Sequence, residues 1–506
     1  MISTRRTIEV PLNRVEGDLE VSAEIEDGVV VDARASATMY RGFEKMLKGR
    51  GALDGLVLTP RVCGICSQSH LAAAAAALET IAGVKPPDGA ARLRSILLLL
   101  EHAQSDIRHT FLSFTADFTN SAHARLPLHA EAVRRWEPFR GEGVFDVVRE
   151  TKRLLEGYAL LAGQWPHSSS VVPGGVVWAP GTAELVQTRL LATRVREWYE
   201  RRILGCSVER WGEVTSAADL EEWLVESPSH RDSDLGILFA FGRSAGLGAT
   251  GRGIGNYLSY GTLEQPGGDR LWSPGFLEGG VFRPFREAGI AEHTAHSFYV
   301  DDVPERHPSA GRTQPYATGL EGERYSWAKA PRYEGRPAEV GPLADALVSG
   351  DPLITDLVKR LGPSTLVRQL ARAVRPARLL PTLERCLAKA DPGAAVYNPP
   401  GEIMDGEGAG LVGAARGGLG HWVSIRDGLI DSYQIVTPTT WNASPRDSAG
   451  LRGPIEEALV GTPVADPENP VELGHVVRSF DACLVCTVHA VRRGRTLGRV
   501  RTGGLR

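Results

Sequence analysis

Two widely separated pairs of cysteines are the residues whose spacing points most directly to chemistry. The stretch RVCGICSQSH contains Cys63 and Cys66, and the stretch DACLVCTVHA contains Cys483 and Cys486. Both stretches have the C-x-x-C spacing, and a histidine follows each of them. Thiolates are soft ligands that suit zinc, nickel, iron and copper(I). The pattern therefore predicts a metal or redox site.

The spacing alone leaves three interpretations open. Four thiolates most often bind a structural zinc ion, which ranks first, although zinc ribbons place their two pairs within a few tens of residues. A redox-active soft-metal site ranks second, because one sulfur of each turn can bind a single metal while the other bridges two metals. Two unrelated dithiol motifs rank third. A shared site requires the fold to bring the two ends of the chain together.

Composition places the chain among ordinary globular proteins and excludes several functions. Its 506 residues are 42% hydrophobic and 23% charged, which is enough apolar material for a large core. A net charge of −4 gives no support for nucleic-acid binding. No apolar stretch reaches the length of a membrane span, and the N-terminal MISTRRTIEV lacks the apolar region of a secretory signal. We therefore predict a cytoplasmic protein, with any membrane association made through partners.

Apolar periodicity predicts a mainly helical α+β fold that positions these residues. Two stretches alternate apolar and polar residues around an Asp-Gly turn and predict β-hairpins, at residues 27–28 and 427–428. Long amphipathic patterns predict a central helical bundle, at residues 90–118, 145–163 and 182–204. Ordered loops and short strands are expected over residues 232–342, and further helices at 344–374 and 379–390. The GLGATG segment is not followed by a helical pattern, which excludes a dinucleotide-binding motif.

Three further polar residues have an ordinary interpretation when each is taken alone. Glu16 in NRVEGDLE fits a solvated strand, Glu44 in YRGFEKMLKGR fits a helix surface, and Arg416 in AARGGLGHW fits an exposed turn. The small residues around Arg416 also allow close approach to a ligand. None of the three predicts a function by itself.

Taken together, the motifs resemble those of the large, catalytic subunit of nickel–iron hydrogenases of the uptake type. The first cysteine pair resembles the family signature R-x-C-G-x-C-x-x-x-H, and the second resembles D-P-C-x-x-C-x-x-H. Between them PHSSSVVPGGV, YSWAKAPRYEGRPAEVGPLA, AARGGLGHW and TPTTWNASPRD follow in family order. The resemblance implies that subunit's fold, with a central long-helix bundle and peripheral β-hairpins. It separates the chain from a related respiratory complex I subunit, which has lost the cysteines.

The resemblance also implies a binuclear nickel–iron centre. Cys63 and Cys483 correspond to terminal ligands of nickel, whereas Cys66 and Cys486 correspond to sulfurs that bridge nickel and iron. The iron of that centre carries carbonyl and cyanide ligands, which the side chains of the protein cannot supply.

The implied reaction is heterolytic cleavage of H2, with protons and electrons as the products of oxidation. Arg416 corresponds to an arginine over the open side of the metals, and Asp481 to the carboxylate that orients it. Glu16 corresponds to the glutamate that exchanges a proton with the thiolate of Cys483.

Two further groups of residues are implied to surround the centre. The diatomic ligands of iron would lie against Leu419, Pro438 and Thr439. A magnesium ion near the C-terminus would be bound by Glu44, the backbone carbonyl of Ile435, and His489.

The chain departs from the family pattern at a few positions. Ala482 and Ala415 stand where proline is usual or common, and Asp18 stands where histidine is common. A further aspartate is expected near the arginine, and Asp106 is the one candidate, although it is one place out of register. These departures bear on tuning and on subgroup rather than on the metal site.

Partners and processing follow from the same resemblance. Cys206 and Cys386 are isolated and fit ordinary buried thiols, so the electrons require an iron–sulfur small subunit. We expect a higher oligomer of such heterodimers, together with a maturation protease and nickel-insertion factors. We predict one body over residues 1–489 and a basic extension over 490–506 that is removed in maturation. The alternatives are a regulatory H2 sensor built on the same site and a structural zinc protein.

Overall fold

The computed structural model describes residues 5–15, 17–264, 269–300, 303–316 and 323–483. The helices in these ranges are α1 Phe43–Leu47, α2 Asp54–Leu58, α3 Ser67–Ala82, α4 Asp88–Arg108, α5 His129–Trp136, α6 Glu142–Ala162, α7 Thr182–Trp198, α8 Val208–Trp211, α9 Ala217–Glu226, α10 Pro228–Arg231, α11 Asp234–Ser244, α12 Pro342–Val348, α13 Pro352–Leu361, α14 Thr365–Val374, α15 Pro376–Ala388, α16 Pro438–Asn442, α17 Pro454–Leu459 and α18 Val471–Ser479. The strands are β1 Arg5–Leu12, β2 Leu19–Glu26, β3 Val29–Ala37, β4 Val171–Val172, β5 Gly175–Val176, β6 Asn256–Glu264, β7 Arg270–Glu278, β8 Val281–Arg283, β9 Ile290–His293, β10 Glu305–Arg306, β11 Ala330–Tyr333, β12 Gly406–Ala414, β13 Gly417–Arg426 and β14 Leu429–Val436.

Long helices pack together at the centre of the molecule. Helices α4, α6, α7 and α15 contact one another in pairs. Apolar residues recur at helical spacing along each of these helices. Those that face inward, such as Leu100, Leu154, Val195 and Leu383, belong to one buried cluster. Helix α4 continues beyond Arg108 as a π-helical turn over His109–Phe114. None of the described helices is both long and apolar enough to cross a membrane.

The N-terminal sheet packs against the C-terminal part of the chain. Strands β1, β2 and β3 form an antiparallel sheet, and alternate residues of β2 are buried. The buried face shares a core with Ile455 of α17 and with Leu473 and Val476 of α18. Val30 N–H also donates to the carbonyl of Thr462 at 3.0 Å. The two ends of the described chain therefore meet.

A second antiparallel sheet, β12–β13–β14, lies directly against helix α3. A Cβ atom at Gly410 would lie 1.9 Å from the carbonyl oxygen of Ala73, and one at Gly408 would lie 2.3 Å from that of Ala77. Glycine in the strand and alanine in the helix thus allow the two main chains to touch. Because α3 begins directly after Cys66 and the turn after β12 contains Arg416, this contact fixes the distance between those two residues.

The mixture of helices and strands is confirmed, but one region differs from the predictions. The region 232–342 contains helix α11, whose N-terminus is capped by Ser233 Oγ accepting from Gly236 N–H at 2.9 Å. The helices predicted within 344–374 are three in number, α12, α13 and α14. The interruptions between them fall at Gly350 and Gly362, both with positive φ, which favours glycine.

The buried Glu456 of α17 should make the free energy of unfolding depend on pH. Its side chain is fully buried and accepts hydrogen bonds from Ala35 N–H at 3.0 Å and Tyr325 Oη at 2.7 Å. Burial raises the pKa of Glu456 to about 7, despite these bonds and the nearby Arg446. The folded protein therefore holds this proton more tightly than the unfolded chain does. The contribution of protonated Glu456 to the free energy of unfolding is fully present below the pKa that Glu456 has in the unfolded chain. It is lost as the pH rises through the pKa that Glu456 has in the folded protein.

We expect the Glu456→Gln variant to remove this loss. Between about pH 5 and pH 8 the wild-type free energy of unfolding should fall by about 3 kcal/mol more than that of the variant. Urea denaturation at a series of pH values measures the difference. The exposed Glu402→Gln serves as the control and should follow the wild type. Parallel pH profiles for wild type and Glu456→Gln would contradict the prediction.

Candidate metal centre

Three cysteines from the two ends of the chain form one buried cluster. The Sγ atoms of Cys63, Cys66 and Cys483 all lie within 4.8 Å of one another. Cys63 Sγ and Cys483 Sγ are 3.4 Å apart, which is far longer than a disulfide bond. Each residue is at least nine-tenths buried. This is the only group of three or more histidine, cysteine or acidic residues at metal-binding distances in the described ranges.

The turn that carries Cys63 is held by main-chain contacts. A 3-10 turn over Thr59–Arg61 precedes it. Arg41 Nη1 donates to the carbonyl of Val62 at 2.7 Å, and Arg41 Nη2 donates to that of Arg61 at 2.5 Å. His167, from the PHSSSVVPGG motif, contacts the same turn through Nδ1 and the carbonyl of Pro60 at 3.0 Å. The orientation of Cys63 therefore depends on residues far away in the sequence.

Cys66 is the N-cap residue of α3, and a buried carboxylate satisfies the first N–H groups of that helix. Glu101 of α4 accepts from Gln68 N–H at 2.8 Å, from Ser69 N–H at 3.1 Å and from Ser69 Oγ at 2.5 Å. A helix N-terminus leaves such donors unpaired, and an anion there is stabilising. Burial nevertheless raises the pKa of Glu101 to about 7.

Cys483 follows helix α18 and is held by helix α16. Its N–H donates to Thr439 Oγ1 at 2.8 Å. Pro438 is the first residue of α16, and Thr437 Oγ1 caps that helix by accepting from Thr440 N–H. Leu419 is buried in a small cluster with Ala73 and Ala414. Thr439 therefore contacts the cysteine cluster directly, while Leu419 lies where β13 meets α3.

Arg416 and Asp481 form a buried ion pair beside the cysteines. Arg416 Nε lies 3.0 Å from Asp481 Oδ1, although the geometry is not that of a hydrogen bond. His109 Nδ1 lies 2.8 Å from the same oxygen, and Arg372 Nε lies 3.9 Å from Oδ2. Burial opposes the charge of Arg416, but Asp481 and the thiolates of the three cysteines raise its pKa well above its usual value. The guanidinium is thus permanently charged.

Asp106, the candidate for a further aspartate near the arginine, makes no ion pair with Arg416. It is fully buried on α4 and accepts from Arg375 Nε at 2.7 Å and from Arg375 Nη2 at 2.8 Å. The residues next to Asp481 are instead His109 and Arg372, which the sequence analysis did not identify. The polar residues Glu101, Asp106 and His109 within an otherwise apolar helical pattern are a signal that could have revealed this buried polar face.

The loop that carries Glu16 is anchored close to α18, although Glu16 itself lies outside the described residues. Arg14 forms an ion pair with the buried Asp117. Arg478 of α18 donates to the Asn13 carbonyl at 3.1 Å, to Asn13 Oδ1 at 2.6 Å and to Asp117 Oδ2 at 2.5 Å. Cys486 and His489 also lie outside the described residues.

Glu44 and Ile435, two of the residues predicted to bind magnesium, contact each other through the Ile435 N–H rather than its carbonyl. Glu44 Oε1 accepts from Ile435 N–H at 2.9 Å. Lys329 Nζ lies 3.9 Å from Glu44 Oε2, 3.4 Å from Glu292 Oε2 and 2.5 Å from Gln434 Oε1. The carboxylate that would bind a cation is therefore already close to an ammonium group.

The side chains fit a metal that prefers thiolates. Three buried sulfurs converge, and a permanently charged arginine lies beside them. Nη1 of Arg416 is buried and has no hydrogen-bond partner among the described residues. Buried donors are rarely left unpaired, so this donor is available to whatever occupies the space beside the sulfurs.

The fold and the site define a class of protein: a large α+β protein in which segments from near the two ends of the described chain meet at a buried cluster of three cysteines. The model of the nickel-dependent hydrogenase family matches residues 41–132 and 236–489. The chain belongs to that family. It is a hydrogenase large subunit, hence part of an oxidoreductase that acts on H2, and the family implies a nickel–iron centre.

Individual relatives agree over nearly the whole chain. The periplasmic [NiFeSe] hydrogenase large subunit of Desulfomicrobium baculatum is 31% identical, covering 95% of this chain and 94% of the relative. The hydrogenase-2 large chain of Escherichia coli K12 is 30% identical, covering 97% and 98%. Among solved structures, the Dm. baculatum [NiFeSe]-hydrogenase gives a TM-score of 0.83 at 30% identity, covering 96% and 100%. In this chain, positions 63, 66 and 483 are all cysteine.

Proposed function

We propose that this chain is the catalytic subunit of a nickel–iron hydrogenase that oxidises H2. The observation that carries the proposal is the buried cluster of Cys63, Cys66 and Cys483 beside the charged Arg416. When bound, the nickel–iron centre supplies the Lewis-acid and redox chemistry that splits H2 into protons and electrons. Cys63 and Cys483 would hold nickel through their thiolates, and Cys66 and Cys486 would also hold the iron.

The protein's own groups then handle charge and protons. Arg416 holds a fixed positive charge beside the sulfurs, and Asp481 orients it through their ion pair. Glu16 exchanges a proton with the thiolate of Cys483. The contacts of Asn13 with Arg478 and of Arg14 with Asp117 support this role, because Arg478 belongs to the helix that leads to Cys483.

Two supporting sites complete the proposal. Leu419, Pro438 and Thr439 are assigned to the pocket of the iron-bound carbonyl and cyanide, supported by the contact of Thr439 with Cys483. Glu44, the Ile435 carbonyl and His489 are assigned to magnesium. Such an ion would compete with Lys329 for the carboxylate of Glu44.

The electrons are proposed to pass to an iron–sulfur small subunit. Cys206 and Cys386 belong to no group of three or more metal-binding side chains among the described residues. The proposal favours uptake over an H2 sensor because sensors of the resembled family typically lack a C-terminal extension, whereas this chain continues beyond His489 over residues 490–506. The cytoplasmic location stays a prediction, and one relative is named as periplasmic.

Metal analysis and infrared spectroscopy of the purified enzyme test the proposal. We expect nickel and iron in the large subunit, and bands of iron-bound carbonyl and cyanide. The competing structural zinc protein would contain zinc and show no such bands. Zinc without nickel or iron in active preparations would overturn the hydrogenase assignment.

The C-terminal extension gives a separate prediction about maturation. We expect cleavage between His489 and Ala490, because the basic segment after His489 would deny that residue a free end at the ion site. Intact-mass spectrometry of the nickel-loaded large subunit measures this directly. The metal-free precursor is the control and should retain residues 490–506. An active, nickel-loaded chain that still ends at Arg506 would refute the prediction.

A further inference from the structure

We propose that Arg375 is a positioning residue for Arg416, acting through the main chain of the turn that joins β12 and β13. This inference rests on the proposed function of Arg416. Arg375 Nη2 donates to the carbonyl of Ala415 at 2.5 Å. Ala415 directly precedes Arg416, so the bond holds the peptide plane from which Arg416 extends.

Arg375 is itself fixed on two sides by carboxylates. Asp106 of α4 accepts from Nε and Nη2 in a two-pronged pair at 2.7 and 2.8 Å. Asp345 of α12 accepts from Nη1 at 3.3 Å, and its oxygens also accept from Ser259 Oγ at 2.7 Å and Thr262 Oγ1 at 3.3 Å. All these side chains are buried. The guanidinium therefore has one orientation, and its remaining donor direction meets Ala415.

The turn needs such a contact because its own residues provide little stiffness. The ladder between β12 and β13 ends at the pair Ala414 and Gly417, so Ala415 and Arg416 lie beyond the strand pairing. Alanine at 415 leaves a backbone freedom that proline would remove. The turn also packs against Gly341, where a Cβ atom would lie 3.1 Å from the carbonyl oxygen of Arg416. Arg375 and Gly341 thus contact the carbonyls of the two adjacent residues of the turn.

Around Arg375, the positive charges of three buried arginines are matched by three buried aspartates, without any contribution from the cysteines. Arg372, Arg375 and Arg416 face Asp106, Asp345 and Asp481 in a buried network. Arg375 serves no carboxylate of the metal site itself: its partners lie on α4 and α12. Among the described residues its one hydrogen bond towards the centre is to the Ala415 carbonyl. A substitution that keeps the positive charge should therefore act mainly on the placement of Arg416.

The first test is the Arg375→Lys variant of the enzyme with its small subunit. Lysine keeps the charge for Asp106 and Asp345, but a single ammonium cannot reproduce the fork that reaches Ala415 as well. The nickel and iron content should match wild type, and kcat should fall about 10- to 100-fold with little change in KM. Arg135→Lys is the matched control, because Arg135 makes a buried pair with Asp234 at 2.6 Å and belongs to α5, away from the cysteines. Its kcat should equal that of wild type.

Two further readouts separate positioning from a general loss of stability. Hydrogen–deuterium exchange of the peptide covering residues 411–420 should rise in Arg375→Lys and stay unchanged in Arg135→Lys. The added substitution Ala415→Pro should restore much of the lost kcat in Arg375→Lys, because proline stiffens the same turn.

The outcomes are decisive in both directions. Lower kcat at full metal content, faster exchange of the turn and rescue by Ala415→Pro support the proposal. A kcat within about twofold of wild type, a loss that follows lower metal content, or no rescue by proline overturns it. If the wild-type enzyme lacks the nickel–iron centre, the proposed function itself fails, and this is seen before any variant is compared.

Discussion

Replacing Cys483 with serine is expected to abolish nickel binding and H2 turnover together. Cys483 Sγ lies 3.4 Å from Cys63 Sγ inside a buried cluster, so no solvent-exposed ligand can take its place. A serine hydroxyl is a harder donor and remains protonated at working pH, whereas the site requires a thiolate. Nickel in the purified large subunit should fall to background, and kcat should fall below detection.

The matched control for this variant is Cys386→Ser. Cys386 is also buried, but it lies in the helical core and belongs to no metal cluster among the described residues. It should lower the melting temperature modestly and keep nickel, iron and kcat. Full nickel occupancy in Cys483→Ser, or equal metal loss in both variants, would contradict the assignment of Cys483 as a ligand.

Replacing Arg416 with lysine is expected to lower kcat by about 100- to 1000-fold while the metals remain bound. Arg416 is not a metal ligand, so nickel, iron and the infrared bands should persist. Lysine keeps a positive charge, but its ammonium group is smaller than the planar guanidinium group of arginine. It therefore cannot both face Asp481 and present a hydrogen-bond donor to the sulfurs. KM should change little, because the lost interaction belongs mainly to the transition state.

Arg332→Lys controls for the cost of disturbing a buried arginine. Arg332 is fully buried and pairs with Asp447 at 2.7 Å, but it contacts none of the cysteines that the structure describes. It should lower stability and leave kcat unchanged. Near-normal kcat in Arg416→Lys, or a loss of nickel that accounts for the lost activity, would rule out the role proposed for Arg416.

Local patterns were enough to predict several parts of the fold. The Asp-Gly pairs at 27–28 and 427–428 form turns between paired strands, because aspartate and glycine there both have positive φ. Helix α3 ends at Ala82 with Gly83 as its C-cap, as an alanine-rich segment followed by glycine indicates. The two cysteine pairs could be assigned to one site only through the resemblance, because nothing in their spacing shows that the chain ends meet.

Contacts between distant residues could not be predicted from the sequence. Arg41 reaches the turn before Cys63, Glu101 reaches the start of α3, and Arg375 reaches Ala415. Each pairing depends on how helices and strands pack rather than on local propensity. Helix α11 was missed for a different reason: glycines 236 and 242 within it lower helix propensity, while burial of Leu235, Leu238 and Phe241 stabilises it.

The packing of the N-terminal sheet against helices α17 and α18 has a consequence for folding while the chain is being translated. Strands β1–β3 leave the ribosome first, but Ile455, Leu473 and Val476, which cover their apolar face, are made near the end of the chain. At roughly 5–20 residues per second, the uncovered sheet waits for tens of seconds. During that time its apolar face is available to chaperones. Cys483, a metal ligand in the proposed function, is also translated near the end, so metal insertion as proposed would have to wait for it.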